Sequence, residues 1–167
     1  MLRLLCAVGI GLALSLGASL SVMPAWAAEA SHAEDEPRPY DKDADARADV
    51  QLVLDDAKRF NKLGLIVMGA NWCHDSRALA SYFEKPRFQT LIEDHYRLVY
   101  VDVGFKDRNI DIAREFGVES IVGTPTVFIT SPEGEVLNLE TAPTWRHAAS
   151  RGEDEAWEYF KSYTTQE

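Results

Sequence analysis

Four short strand-like runs, separated by stretches of helical spacing, outline this chain. Leu65-Ile66-Val67-Met68 and Leu98-Val99-Tyr100-Val101 are continuous and apolar, the pattern of strands buried on both faces of a parallel sheet. Thr126-Val127-Phe128-Ile129 and Glu135-Val136-Leu137-Asn138-Leu139 flank Ser131-Pro132-Glu133-Gly134, a turn signal that predicts a hairpin. From Ala48 to Lys62, Val50, Val53, Leu54, Ala57 and Phe60 share one helical face, and Gly64 is the expected stop. Ala78, Leu79, Tyr82 and Phe83 make a second stripe, which Pro86 interrupts before Phe88, Leu91 and Ile92 resume it. Ile110, Ala113 and Phe116 line a third helix, with Gly117 placed to end it in a left-handed conformation. A last helix is predicted near Glu153 to Tyr163, its first-turn acids favoured by the helix dipole and Ala156, Trp157 and Phe160 facing inward. The predicted order is helix, strand, helix, strand, helix, strand, strand, helix, with no internal repeat.

The N-terminal region breaks this pattern. Arg3 precedes an apolar stretch from Leu4 to Val22, Pro24 interrupts it, and Ala25-Trp26-Ala27 supplies the small residues of a cleavage site. Residues 1–27 therefore read as a signal peptide, with an uncleaved membrane anchor as the alternative. Residues 28–47 hold many acids, Pro37, Pro39 and few large apolar side chains, so they read as a disordered acidic tail. Residues 48–167 form the folded domain, and the 140 residues left after cleavage suit one core.

Charge removes some partners from consideration. Lys and Arg number 17 against 27 Asp and Glu, a net charge of −10, and loss of Arg3 makes the mature chain one unit more negative. Nucleic acid and anionic membrane would be repelled, so no nucleic acid and no membrane contact beyond the leader are expected; a monomer is the expected state.

Cysteine then becomes informative. The two cysteines are Cys6 and Cys73, and cleavage leaves only Cys73, an odd count for an exported protein. It is a reactive thiol, half of an intermolecular disulfide, or a small core residue. Its polar neighbours Asn71, His74, Asp75 and Ser76 argue against burial, and its place between an apolar run and a helix start favours thiolate through the dipole and free N–H groups. His74, when protonated, adds charge near the sulfur or is a solvated loop residue; Asp75 is read as a first-turn surface acid. Ser76 either donates a hydrogen bond to the sulfur or caps the helix. Cys73, His74 and Asp75 as a metal set are disfavoured, because adjacent residues seldom converge on one ion, and no metal or cofactor is implied. His32, His95 and His147 are assigned no role.

These residues also carry a resemblance. The strand ending in Ala70-Asn71-Trp72-Cys73-His74-Asp75-Ser76, Gly123-Thr124-Pro125-Thr126 before a later strand, and the final strand pair and helix together resemble the thioredoxin superfamily over Ala48 to Tyr163. Within it the chain is more similar to the exported group that includes the C-terminal domain of the periplasmic disulfide reductase. The resemblance implies an α/β, thioredoxin-like fold, a central mixed β-sheet flanked by helices. It implies Cys73 as nucleophile, with Ser76 and His74 beside it, and Trp72, Thr124 and a cis Pro125 as the surface that holds substrate.

Two departures limit the implied chemistry. Ser76 stands where the family has a second cysteine, and Val67 where it commonly has a buried acid. A mixed disulfide on Cys73 is then resolved only by a thiol from outside or by another cysteine of the substrate. The expected activity is monothiol thiol-disulfide exchange on protein thiols or disulfides, of isomerase or mixed-disulfide reductase type, with a small thiol as a further partner. The alternative is a non-catalytic peptide-binding or chaperone-like module on the same scaffold.

Overall fold

The strand β1, Leu63–Gly69, lies at the centre of a three-stranded sheet, and its side chains alternate between two cores. The computed structural model describes residues 36–165. β2, Tyr96–Asp102, runs parallel to β1 with Leu65 opposite Leu98, and β3, Thr126–Thr130, runs antiparallel on the other side with Leu65 opposite Ile129. The mixed sheet flanked by helices is the architecture expected from the sequence.

Leu65 and Val67 join Leu79 and Phe83 of α2 (His74–Phe83), Phe88 and Leu91 of α3 (Pro86–His95), and Ala156 and Phe160 of α5 (Glu153–Tyr163). Ile66 and Met68 point the other way, to Ala46 and Val50 of α1 (Ala46–Phe60) and Ile112 and Ala113 of α4 (Ile110–Glu115). A strand covered on both faces has no polar side, which is why its sequence is a run and not an alternation.

Four details differ from the sequence-based expectations. The first concerns residues 36–47, which are ordered: Tyr40 is buried among the residues around β1, Asp45 caps α1, and the helix begins at Ala46. Asn71 holds the segment by accepting from Tyr40 N at 3.1 Å and donating to Tyr40 O at 2.7 Å. One aromatic ring and a doubly paired backbone supply what composition alone does not reveal, and Pro37 and Pro39 reduce the entropy lost on ordering. The expected signal peptide and residues 28–35 of the expected tail lie outside the described residues.

The second difference is at the end of α1. Asn61, in the left-handed conformation, is the cap, whereas Gly64 sits inside β1, where a Cβ would come within 2.4 Å of Thr130 Oγ1. Phe60 is the third: it leaves the buried face, is half exposed, and lies under the Arg97 guanidinium.

The fourth is the hairpin. Its turn forms, with Ser131 N donating to Glu135 O, but the second strand shrinks to a bridge between Thr130 and Val136. Beyond it the Asn138 side chain replaces a strand backbone, accepting from Ile129 N and donating to Val127 O, both at 2.8 Å. The chain then turns into a 3-10 segment, Ala142–Ser150, kinked at His147, which the hydrophobic pattern does not predict.

The buried tyrosines give this fold an alkaline limit. Burial pushes the phenols of Tyr40, Tyr96 and Tyr100 well above the ordinary value near 10.0. The unfolded chain loses these protons near pH 10 and the folded one keeps them. Their contribution to stability is thus complete below about pH 10 and falls as pH rises further. In parallel titrations by tyrosinate absorbance and circular dichroism, three of the six phenols should ionise only as the fold is lost. Full ionisation before any loss of ellipticity would contradict the burial.

Candidate functional site

β1 delivers its chain directly into the site. After Gly69, Ala70 and Asn71 make a turn in which Cys73 N donates to Ala70 O at 3.0 Å, and Cys73 becomes the extended N-cap of α2. Its carbonyl accepts from Arg77 N, so the first turn of the helix starts at the cysteine. Contrary to the expectation from its neighbours, Cys73 is buried, only 9% exposed, while Trp72 and His74 on either side face solvent. Capping geometry turns the sulfur inward regardless of the polarity of adjacent residues.

The structure brings Cys73 and Thr124 together. The Thr124–Pro125 peptide is cis, and Cys73 Sγ donates to Thr124 O at 3.2 Å across 51 positions of sequence. Trp72 is half exposed, donates from its indole to Gly104 O at 2.9 Å, and stacks on Phe105 with ring centres 5.5 Å apart. Phe105 and Val122, the latter two residues before Thr124, are both largely exposed. Phe105 had no sequence signal beyond being an aromatic residue between Gly104 and Lys106.

His74 and Asp75 are directed elsewhere. The His74 imidazole lies 3.6 Å from Glu36, and Glu36 also accepts from Arg77 Nε at 2.8 Å. Asp75 is no plain surface acid: its carboxylate accepts from Ala149 N at 2.9 Å and ties α2 to the 3-10 segment.

Ser76 is completely buried and accepts from Ala70 N at 3.4 Å. Tyr40, also buried, brings its hydroxyl beside it. Gly69 is the reason both fit, because a Cβ there would stand 2.6 Å from Ser76 Oγ and 2.6 Å from Tyr40 Oη. Tyr40 Oη has no partner of good hydrogen-bond geometry among the described residues, and Ser76 is the side-chain hydroxyl it faces. Desolvation, and then Tyr100, push the Tyr40 phenol up, so it stays protonated. Val67, fully buried, packs in the same apolar cluster as Tyr40. Tyr40 was missed because its segment reads as tail. The one available signal was a lone aromatic residue after Pro37 and Pro39.

Cys73 is a free thiol, and among the described residues no other cysteine lies near it. No group of three or more His, Cys, Asp or Glu is placed to hold a metal ion, and no helix is long and apolar enough to cross a membrane, both among the described residues. The arrangement can attack an electrophilic sulfur and hold one covalent adduct.

No protein-family model and no curated protein matches the chain. The crystal structure of a disulphide isomerase from Xylella fastidiosa superposes with a TM-score of 0.72 at 32% sequence identity, covering 77% of this chain and 98% of that one.

Proposed function

The chain belongs to the thioredoxin superfamily, and from that membership we propose that it is an exported monothiol exchange protein acting on protein disulfides through Cys73. The Cys73 thiolate attacks one sulfur of a substrate disulfide; a bond forms between Cys73 and that sulfur, and the other substrate sulfur leaves as a thiolate. A second substrate cysteine then attacks the mixed disulfide, which rearranges the substrate with no net change in its oxidation. Attack by a small external thiol on the substrate sulfur instead moves the substrate onto that thiol as a new mixed disulfide, which a second molecule of the thiol resolves, leaving the substrate reduced and the small thiol oxidised to its disulfide. In either case Cys73 departs as thiolate and is ready again.

The observation that carries this reading is the position of Sγ. It sits at the start of α2, 3.2 Å from the carbonyl before the cis proline, with a hydroxyl in place of a resolving thiol at position 76. The disulphide isomerase structure that the chain resembles supports the same class of chemistry. Trp72, Thr124 and Pro125 are assigned to substrate contact, and residues 1–27 to the export signal.

The exposed Trp72 and Phe105 stack favours a second reading, a peptide-binding module without turnover. Alkylation of Cys73 measured against pH, in the folded and the denatured protein, separates the two. Monothiol exchange predicts a folded-state midpoint well below the free-thiol value of about 8.5, with Cys73→Ala abolishing mixed-disulfide capture. A midpoint at or above that value, or no reaction until unfolding, would leave the binding module.

A further inference from the structure

We propose that Tyr40 is a positioning residue for Cys73 that acts through Ser76: its phenol donates to Ser76 Oγ and leaves the serine proton to serve the sulfur once Cys73 is a thiolate. This rests on the monothiol reading above.

Thr124 O accepts from the thiol but has nothing to offer a thiolate. Once the proton is gone, that contact is an acceptor against an anion, and other donors have to replace it. Ser76 is three residues on, in the first turn of the same helix, and has no access to water.

A serine hydroxyl accepts two hydrogen bonds and donates one. One acceptor position of Ser76 Oγ takes Ala70 N–H. Tyr40 Oη lies beside the hydroxyl, is buried, and has no hydrogen-bond partner among the described residues. If the phenol fills the second acceptor position, the serine proton is left free, and Cys73, three residues before it at the start of the same helix, is the group that gains acceptor capacity on ionising. A buried polar atom without a partner is costly, so this donation satisfies Tyr40 as well.

The other titratable groups around this pocket do not compete for the role. Tyr100 meets the Tyr40 ring edge-on at 5.3 Å. Asp102 is held by Gly104 N and approached by Arg108. His74 lies against Glu36 and Asp75 against Ala149. Tyr40 itself is anchored by the reciprocal pair of its backbone with Asn71, so the phenol has a fixed place behind the cysteine. The segment of residues 36–40, which composition reads as tail, thereby completes the site.

The test is the pH profile of Cys73 alkylation in the wild type, Tyr40→Phe, Ser76→Ala and the double variant, each checked for folding by thermal unfolding. Tyr40→Phe keeps the ring and removes only the hydroxyl. It should raise the midpoint by about half a unit or more, roughly threefold less thiolate at a given pH below both midpoints. The double variant should match Ser76→Ala alone, because two residues acting in series do not add. A Tyr40→Phe or Ser76→Ala midpoint equal to that of the wild type overturns the proposal, as do shifts that add in the double variant. If Tyr40→Phe does not fold, the Ser76→Ala midpoint decides. A wild-type midpoint at or above the free-thiol value sinks the monothiol reading, whereas the difference between wild type and Tyr40→Phe reports on Tyr40 alone.

Discussion

Ser76→Cys is expected to turn a mixed disulfide that waits for an outside thiol into one that collapses without help. Position 76 is three residues after Cys73, and residues three apart are neighbours on a helix. A second thiol there attacks intramolecularly, and effective molarities for well-oriented groups reach about 10⁵–10⁸ M, so even a poorly aligned thiol outruns millimolar small thiols. We expect the lifetime of the mixed disulfide to fall at least a hundredfold (~10²), with an internal disulfide between positions 73 and 76 as the product. Two features temper the gain. Val67 offers no carboxylate to take the proton of the incoming thiol, and the larger sulfur has to share its pocket with Tyr40 Oη. Both leave a large acceleration in place, because geometry and not proton transfer separates one thiol from two. Quenched mixtures of the protein with a disulfide-bonded test peptide, followed by mass spectrometry, measure the lifetime. An unchanged lifetime would mean that position 76 does not reach the sulfur of Cys73, and would undo the assignment of Ser76 to the site.

Trp145→Ala should produce the largest loss of stability. Trp145 is fully buried, stacks on Phe160 at 4.8 Å, meets Tyr159 edge-on at 4.9 Å, and has the Arg151 guanidinium over its face at 4.5 Å. Truncating a buried tryptophan to alanine costs about 3–5 kcal/mol, set against a total stability of about 5–15 kcal/mol for a domain. One term works the other way: the indole N–H has no partner among the described residues, so its removal relieves a buried donor. That places the expectation near the lower end, about 3 kcal/mol, still enough to lower the melting temperature by about 10 °C. The damage should spread to the site, because Asp75 of α2 is tied to Ala149 in the same 3-10 segment. Urea unfolding followed by far-ultraviolet circular dichroism measures it, and a change below about 1 kcal/mol would show that the 3-10 segment does not hold the core.

The elements that were legible in the sequence are those whose signal is local. The last helix matches its expected range, Glu153–Tyr163, because three first-turn acids mark its start and a regular stripe marks its face. β1 was legible as an apolar run because helices cover both of its faces, whereas β2, at the sheet edge, carries the same run although Leu98, Val99 and Tyr100 are only half-buried, short of the burial on both faces that the pattern predicts. Gly117, with φ of +90°, ends the region of α4 as expected, since few other residues adopt that conformation readily. The second hairpin strand was misread for the opposite reason. Its pattern is that of a strand, but Asn138 satisfies the neighbouring backbone with a side chain, and periodicity cannot distinguish one amide from another.

By itself, then, the sequence determined the first three strands and the helices between and after them, and the place of Cys73 at a helix start, while its resemblance to a family added the mixed sheet and Ser76 in the place of a second cysteine. The elements follow from steric and hydrophobic preferences that act over a few residues. Only the tertiary structure decided that Cys73 is buried, that Thr124 O lies at its sulfur, that His74 is directed to Glu36, and that Tyr40 stands behind Ser76. Each of these is a contact between segments 30 or more residues apart, or follows from one, and it depends on how helices and strands pack. A buried hydroxyl and a solvated one are written with the same residue, and only the surrounding core makes them different.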